Sequence, residues 1–202
     1  MRRTKDEAAV TRSAVLKAAL AVFSSKGYAA ATLDDIAKAA RVTRGAIYWH
    51  FKSKADLYNT LTSELSARGA DLVQHAVAEG GSLLEILRRI FVRQCTLIEE
   101  DREARAVMEL ALSKTGTDPE LQAGRKKQLE AGSALIEGIA GAMQKGIAQG
   151  VLRNDIDPAD MARAFIAFEN GAIQLWLTSP KSFSLKQSAE SFAEILISGL
   201  QK

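Results

Sequence analysis

Four side chains in the stretch "VTRGAIYWHFKSK", Val42 to Lys54, carry the chemistry most easily read from this chain: Arg44, Tyr48, His50 and Lys54. Each can donate a hydrogen bond to an anionic oxygen. Arg offers a planar fork of N–H donors that matches guanine or a phosphate, and Lys offers a compact ammonium. Tyr48 and His50 present polar tips on flat rings, and Gly45 removes a side chain where a backbone would approach a surface. This set recognises a polyanion; it does not make or break bonds. Bond-making is poorly served elsewhere. The chain has two histidines (His50, His75) and one cysteine (Cys95). Neither histidine sits in a loop with a nucleophile signature. No glycine loop for phosphates is present, so no enzyme is expected. No metal site and no cofactor are expected either: two histidines and a cysteine supply too few ligands, and no carboxylate spacing argues for a site. A lone cysteine excludes an internal disulfide framework and suits a reducing cytoplasm.

The charge is distributed unevenly. The first 54 residues hold eleven Lys or Arg against four Asp or Glu, a net of +7. The remainder carries sixteen against twenty, a net of −4, so the overall +3 conceals a basic head on an acidic body. Such a head suits a nucleic acid, although charge alone leaves a solvated basic face with no partner equally open. The N-terminus, "MRRTKDEAAV", lacks the apolar stretch of a secretory leader, and no run of about 18 apolar residues predicts a membrane span.

The elements that position these residues read as all-α, about nine helices. Strand alternation is nearly absent, while helix punctuation is dense. A first helix over roughly Asp6–Lys26 places Val15, Leu16, Ala19, Leu20 and Phe23 on one stripe, and Gly27 stops it. Thr32, with Asp35 three residues on, caps a second helix. A third runs from about Thr43 to His50, and Ser53 with Asp56 opens a long fourth that ends before Gly80-Gly81. Ser82 with Glu85 restarts the chain as a capping box, "EEDRE" marks a kink, and "TGTDP" is a loop in which Asp118 caps and Pro119 takes the first helical position. Gly150 ends the helix that follows. Asp157-Pro158 begins the next, which runs to about Thr178, and Ser184 with Gln187 opens the last. In the second and third helices, Ile36, Ala37, Ala40, Ile47 and Phe51 form an inner face around Val42. This leaves Tyr48, Trp49 and His50 outward, in the arrangement of a helix-turn-helix.

The stretch from Thr11 to Leu57, "TRSAVLKAALAVFSSKGYAAATLDDIAKAARVTRGAIYWHFKSKADL", resembles the DNA-binding head of the TetR/AcrR family of bacterial repressors, and "VTRGAIYWHFKSKADL" is most similar to its multidrug-efflux regulators. The resemblance implies a three-helix DNA-binding domain over residues 1–54 and a ligand-binding and dimerisation domain over 55–202. It assigns DNA contacts to Thr32, Thr43, Arg44, Gly45, Tyr48, Trp49, His50 and Lys54; those of Thr32 and Trp49 rest on the resemblance alone. One position departs from the pattern. Where the family places glycine between the second and third helices, this chain has Arg41, whose left-handed conformation would cost roughly 1 kcal/mol.

The body offers two further readings. In "MARAFIAFENGAIQLWL", Met161, Phe165, Phe168, Ala172 and Leu175 make one apolar stripe and Ile166, Ile173 and Leu177 another. Leu185, Ala189, Phe192, Leu196 and Leu200 repeat the pattern in the last helix. Two wide faces predict a homodimer through the last two helices. The resemblance puts an inducer pocket among the fourth to eighth helices, with Leu65, Met108, Leu112, Leu135, Ile139, Ile166, Glu169 and Asn170 as candidate contacts. Five glycines in the helix after Pro119, at 124, 132, 138, 141 and 146, require an offset from close packing or from a cavity. The resemblance thus implies a cytoplasmic, ligand-responsive repressor that binds an inverted-repeat DNA operator as a dimer. A small hydrophobic or aromatic inducer would release it from a multidrug-efflux operon. A helical interaction module that has lost DNA binding, and a TetR-type activator without ligand control, stay open.

Overall fold

The computed structural model describes residues 5–113 and 119–202. Among them the chain is all-α, with helices α1 (Lys5–Ala30), α2 (Leu33–Ala40), α3 (Arg44–His50), α4 (Lys54–Ala78), α5 (Leu83–Glu100), α6 (Arg102–Leu112), α7 (Gln122–Ala148), α8 (Pro158–Thr178) and α9 (Leu185–Leu200). The stops and starts follow local chemistry. Gly27 interrupts α1 with φ 76° and ψ 159°, as its lack of a Cβ permits. Thr32 with Asp35 and Ser82 with Glu85 close reciprocal capping boxes at α2 and α5. Asp157 accepts from the Ala159 amide ahead of Pro158 and so starts α8. One start differs from expectation. Pro119 opens a single 3-10 turn, Pro119–Leu121, and the α-helix begins at Gln122. Asp118, expected as its cap, lies outside the described residues.

The chain forms two compact units. Unit 1 comprises Met1–Ser66 with Ala106–Lys126, and unit 2 comprises Ala67–Arg105 with Lys127–Lys202. Compactness therefore divides the chain differently from charge. The core of unit 1 extends past residue 54 because Leu57 and Leu61 of α4, Val107 and Leu110 of α6, and Leu121 join it. The predicted α1 stripe is buried there in full, together with Ile36, Ala37, Ile47 and Phe51. Phe23, Tyr28 and Tyr58 interlock with ring centroids 5.3–6.4 Å apart. By length and hydropathy α1 is the one helix among the described residues that could cross a membrane; its apolar stripe is core.

Unit 2 is built on α5 packed along α9, with α8 against both. Phe91 of α5 meets Phe165 and Phe168 of α8, and Phe168 meets Phe192 of α9. The expected α8 and α9 stripes are mostly internal. Met161, Phe165, Ala172, Leu185, Ala189 and Leu200 are buried, while Leu175 points outward, 62% exposed, as does Ile195 of α9 at 65%. On α7, a Cβ at Gly146 would meet Leu83 at 2.6 Å and Leu152 at 3.0 Å, whereas one at Gly138 would meet nothing within 4 Å. Close packing thus accounts for Gly146 and not for Gly138.

Candidate nucleic-acid interface

The helix-turn-helix is fixed by two caps and one strained residue. At the start of α2 the Thr32 hydroxyl accepts from the Asp35 amide at 3.1 Å and donates to the Asp35 carboxylate at 2.8 Å. Lys26 donates to the same carboxylate at 2.6 Å. These bonds, Lys26 first, hold the Asp35 carboxyl down at about 2. At the end of α2, Arg41 takes φ 55° and ψ 41°, making it the one non-glycine residue with positive φ among those described. The turn closes as the Arg41 amide donates back to Ala37 and Lys38 and the Val42 amide to Ala37. The left-handed conformation expected there is observed. Thr43 then caps α3, its hydroxyl accepting from the Ala46 amide at 3.2 Å.

The rings on α3 divide as their spacing predicts. Ile47 and Phe51 are buried, Tyr48 is half exposed, and Trp49 is 70% exposed. Trp49 stands edge-on to His50, with centroids 4.5 Å apart. His50 is half-buried and Gly45 lies exposed in the first turn. Arg44 is not a loose side chain. It donates to Asp34 of α2 at 3.3 Å and to the Tyr48 hydroxyl at 3.2 Å, and its guanidinium lies 5.8 Å from the Tyr48 ring centre. The Tyr48 bond, followed by the Asp34 charge, raises its pKa further. The fork therefore stays charged and is oriented along the exposed face before any ligand arrives.

Lys54 is held from within the head. It begins α4 as predicted, but its ammonium does not project freely. It donates to the carbonyls of Tyr28 at 2.9 Å and Ala29 at 3.4 Å and sits 4.3 Å from the Tyr28 ring centre. The carbonyls left without helical partners at the end of α1, with the Tyr28 ring, hold the cation. With two of its three donors so used, one remains for an outside acceptor. An open cleft of about 610 Å³ brings Thr32, Tyr48 and Lys54 together with Lys52 and Glu120. Sequence reasoning missed Asp34, Lys52 and Lys26. Asp34 acts on Arg44 from ten residues away, a spacing no local pattern marks, whereas Lys52, next to the Ser53 cap, was visible in the basic count.

The candidate inducer contacts do not form one set within a single unit. Leu65, Met108 and Leu112 belong to unit 1, and Leu135, Ile139, Ile166, Glu169 and Asn170 to unit 2. Leu112 and Leu135 are exposed at 49% and 45%, and Asn170 is exposed; the others are half-buried. Burial pushes the Glu169 carboxyl up to about 8, and that charge in turn helps burial push the Cys95 thiol up to about 12.

Comparison with known proteins agrees with this arrangement. Residues 15–61 match the model of "Bacterial regulatory proteins, tetR family", and residues 82–202 match that of "MAATS-type transcriptional repressor, C-terminal region". The chain is 33% identical to the HTH-type transcriptional regulator AcrR of Shigella flexneri over 199 residues, covering 97% of this chain and 92% of that one. It is 31% identical to the HTH-type transcriptional regulator TtgR of Pseudomonas putida, covering 96% and 93%. Its fold superposes on NalD, the secondary repressor of the MexAB-OprM multidrug efflux pump in Pseudomonas aeruginosa, with a TM-score of 0.87 at 26% identity, over 98% and 99% of the two chains. It also superposes on SmeT in its triclosan complex, with a TM-score of 0.82 at 24% identity, over 96% and 92%. A head that carries an oriented arginine on a capped, outward-facing third helix, joined to a matching C-terminal region, places this chain in the tetR family of bacterial regulatory proteins.

Proposed function

We propose that this protein is a cytoplasmic, ligand-responsive repressor that binds an inverted-repeat operator as a homodimer and controls a multidrug-efflux operon. The observation that carries this reading is Arg44, set between Asp34 and Tyr48 on the exposed face of α3. A guanidinium already oriented loses little freedom when it meets a base edge or a phosphate. Thr43, Gly45, Trp49 and His50 flank it, and Thr32, Tyr48 and Lys54 line the neighbouring cleft. Residues 1–54 are the reading head and residues 55–202 the sensing and pairing body.

Pairing uses α8 and α9. Ala164, Ala167, Gly171 and Leu175 fall on one exposed line of α8, and Ile195 is the exposed apolar residue of α9. Small residues with two large apolar side chains suit a close helix-on-helix contact between copies. Two heads so joined present their third helices to successive major-groove faces, about 34–36 Å apart. In the body, a carboxyl whose pKa lies near 8 is mostly uncharged at neutral pH. Glu169 then donates a hydrogen bond to a neutral ligand and ionises only for a cationic one. This favours amphipathic aromatic inducers.

A mobility-shift assay tests the reading with the intergenic DNA beside the gene, at low and moderate salt, with and without triclosan, the compound in the SmeT structure. A retarded complex that weakens with salt and with the compound is expected. A chain that retards no duplex at low ionic strength overturns it.

A further inference from the structure

The basic head gains one acid from far along the chain. Glu120 belongs to the 3-10 turn Pro119–Leu121 and falls in unit 1 with the helix-turn-helix. Three local features fix it there. Leu121 is 5% exposed and joins the core that α1, α2, α3 and α4 build. Gly124, one turn on, lets the start of α7 lie so close to α4 that a Cβ would stand 2.0 Å from the Asn59 side-chain oxygen. The Tyr28 hydroxyl donates to the Glu120 carboxylate at 3.4 Å. Tyr28 is itself firmly packed, 1% exposed and in ring contact with Phe23 and Tyr58.

This places a carboxylate in a cleft whose other polar groups suit anions. Thr32 and Tyr48 bring hydroxyls to it, and Lys52 and Lys54 bring ammoniums. Nearby acids serve the fold or the reading helix. Asp35 closes the α2 capping box, Asp56 accepts from the Lys52 amide at 2.9 Å where α4 begins, and Asp34 orients Arg44. Among the described residues Glu120 is the one acid that lines the cleft. A backbone phosphate seated there gains from the two ammoniums and loses to the carboxylate. Like charges about 8 Å apart repel by an amount worth about 2- to 30-fold in an equilibrium constant, between bulk-water and surface screening.

We propose that Glu120 limits the affinity of the head for DNA: its carboxylate, held by Tyr28, opposes the phosphate that Lys52 and Lys54 attract. The inference rests on the repressor reading above. The effect is blind to base sequence, because a phosphate contact carries none. It lowers binding to operator and to random duplex by the same factor. Discrimination is left to Arg44, while the stay on random duplex is shortened.

The test uses the full chain with two probes, the intergenic duplex beside the gene and a scrambled duplex of the same length. Glu120 is exposed, so substitutions there leave the core alone. Glu120→Gln removes the charge and keeps an acceptor for the Tyr28 hydroxyl, Glu120→Lys reverses the charge, and Glu120→Asp retains it. Fluorescence anisotropy at about 0.05 M salt should show E120Q binding both duplexes about 2- to 30-fold tighter than wild type. E120K should bind tighter still, and E120D should stay close to wild type. The gains should shrink as salt rises to about 0.3 M, as screening shortens the reach of the charge. An E120Q protein no tighter than wild type, an E120D protein as tight as E120Q, or a gain confined to the intergenic duplex overturns the inference. A wild-type chain that binds neither duplex overturns the repressor reading. The role of Glu120 then stands if E120Q binds either duplex and falls if it binds neither.

Discussion

Arg44 and Tyr48 stand one turn apart on α3, and the guanidinium of the first donates to the hydroxyl of the second at 3.2 Å. The bond aims Arg44 without neutralising it. Tyr48→Phe should leave the fold unchanged and weaken operator binding by about 1 kcal/mol, the typical net worth of one intramolecular hydrogen bond. Arg44→Ala should cost about 1–3 kcal/mol and relax discrimination among operator variants. Competition binding against a panel of single-base substitutions reads both effects. Equal discrimination in R44A and wild type would sink the assignment of Arg44 as a base reader.

Arg41 holds a left-handed backbone that glycine adopts freely. The conformation costs about 1–2 kcal/mol in an ordinary residue, and glycine forfeits about 0.5–1 kcal/mol in unfolded-chain entropy. Arg41→Gly should therefore raise stability by about 0.5 kcal/mol in denaturant unfolding. If the side chain neutralises a phosphate, the same change lowers the slope of log K against log salt by about 1. A stable variant with an unaltered slope would make Arg41 structurally costly and functionally idle.

Glu169 makes stability depend on pH in the less common direction. Its carboxyl is raised to about 8 in the folded chain, against an unfolded value near 4.3. Between those values the folded state holds a proton that the unfolded state has lost. The Glu169 contribution to stability is then fully present below about pH 4.3 and declines toward pH 8, by at most about 1.4 kcal/mol per pH unit. Glu169→Gln should flatten this decline and raise the melting temperature at pH 7.5 more than at pH 5. Parallel melting curves for the two proteins across that range would show that the carboxyl is ionised in the native state.

Two glycines of α7 differ in surroundings and make a matched pair. Gly138→Ala, into open space, should stabilise by up to about 1 kcal/mol through helix propensity. Gly146→Ala gains the same propensity but drives a Cβ to 2.6 Å from Leu83, and overpacking of this kind costs about 1–3 kcal/mol. The second variant should melt below the first. A Gly146→Ala protein as stable as Gly138→Ala would mean that Leu83 swings aside freely.

Leu175 and Ile195 are the large apolar residues that α8 and α9 leave open to solvent. Leu175→Arg combined with Ile195→Arg should convert a dimer to a monomer in sedimentation velocity while preserving the helical circular dichroism. The monomer should lose operator affinity disproportionately, since each half-site alone binds weakly. A double variant that still sediments as a dimer places the pairing surface elsewhere.

What the sequence disclosed was what adjacent residues decide among themselves. Gly27, the Thr32–Asp35 and Ser82–Glu85 boxes and the Asp157–Pro158 start each depend on neighbours within four positions, and each was legible. The separation of Ile47 from Trp49 follows from helical period alone. The internal partners of Lys54, the Tyr28 and Ala29 carbonyls, were not legible because they lie 26 and 25 residues back. The Asp34 grip on Arg44 was invisible for the same reason. Leu175 was placed on an apolar stripe, but periodicity reports that a face is apolar without saying whether the same chain covers it, and here Leu175 stays exposed.

The chain carries two tryptophans, and the fold has sorted them. Trp49 lies open on the recognition helix, while Trp176 is 2% exposed in the body, its indole N–H donating to the Phe183 carbonyl and its ring beneath Arg105. Emission from the first should be red-shifted and open to iodide, and emission from the second blue-shifted and shielded. One cuvette, with no dye attached, can therefore follow docking at the front end and rearrangement behind it as separate optical channels.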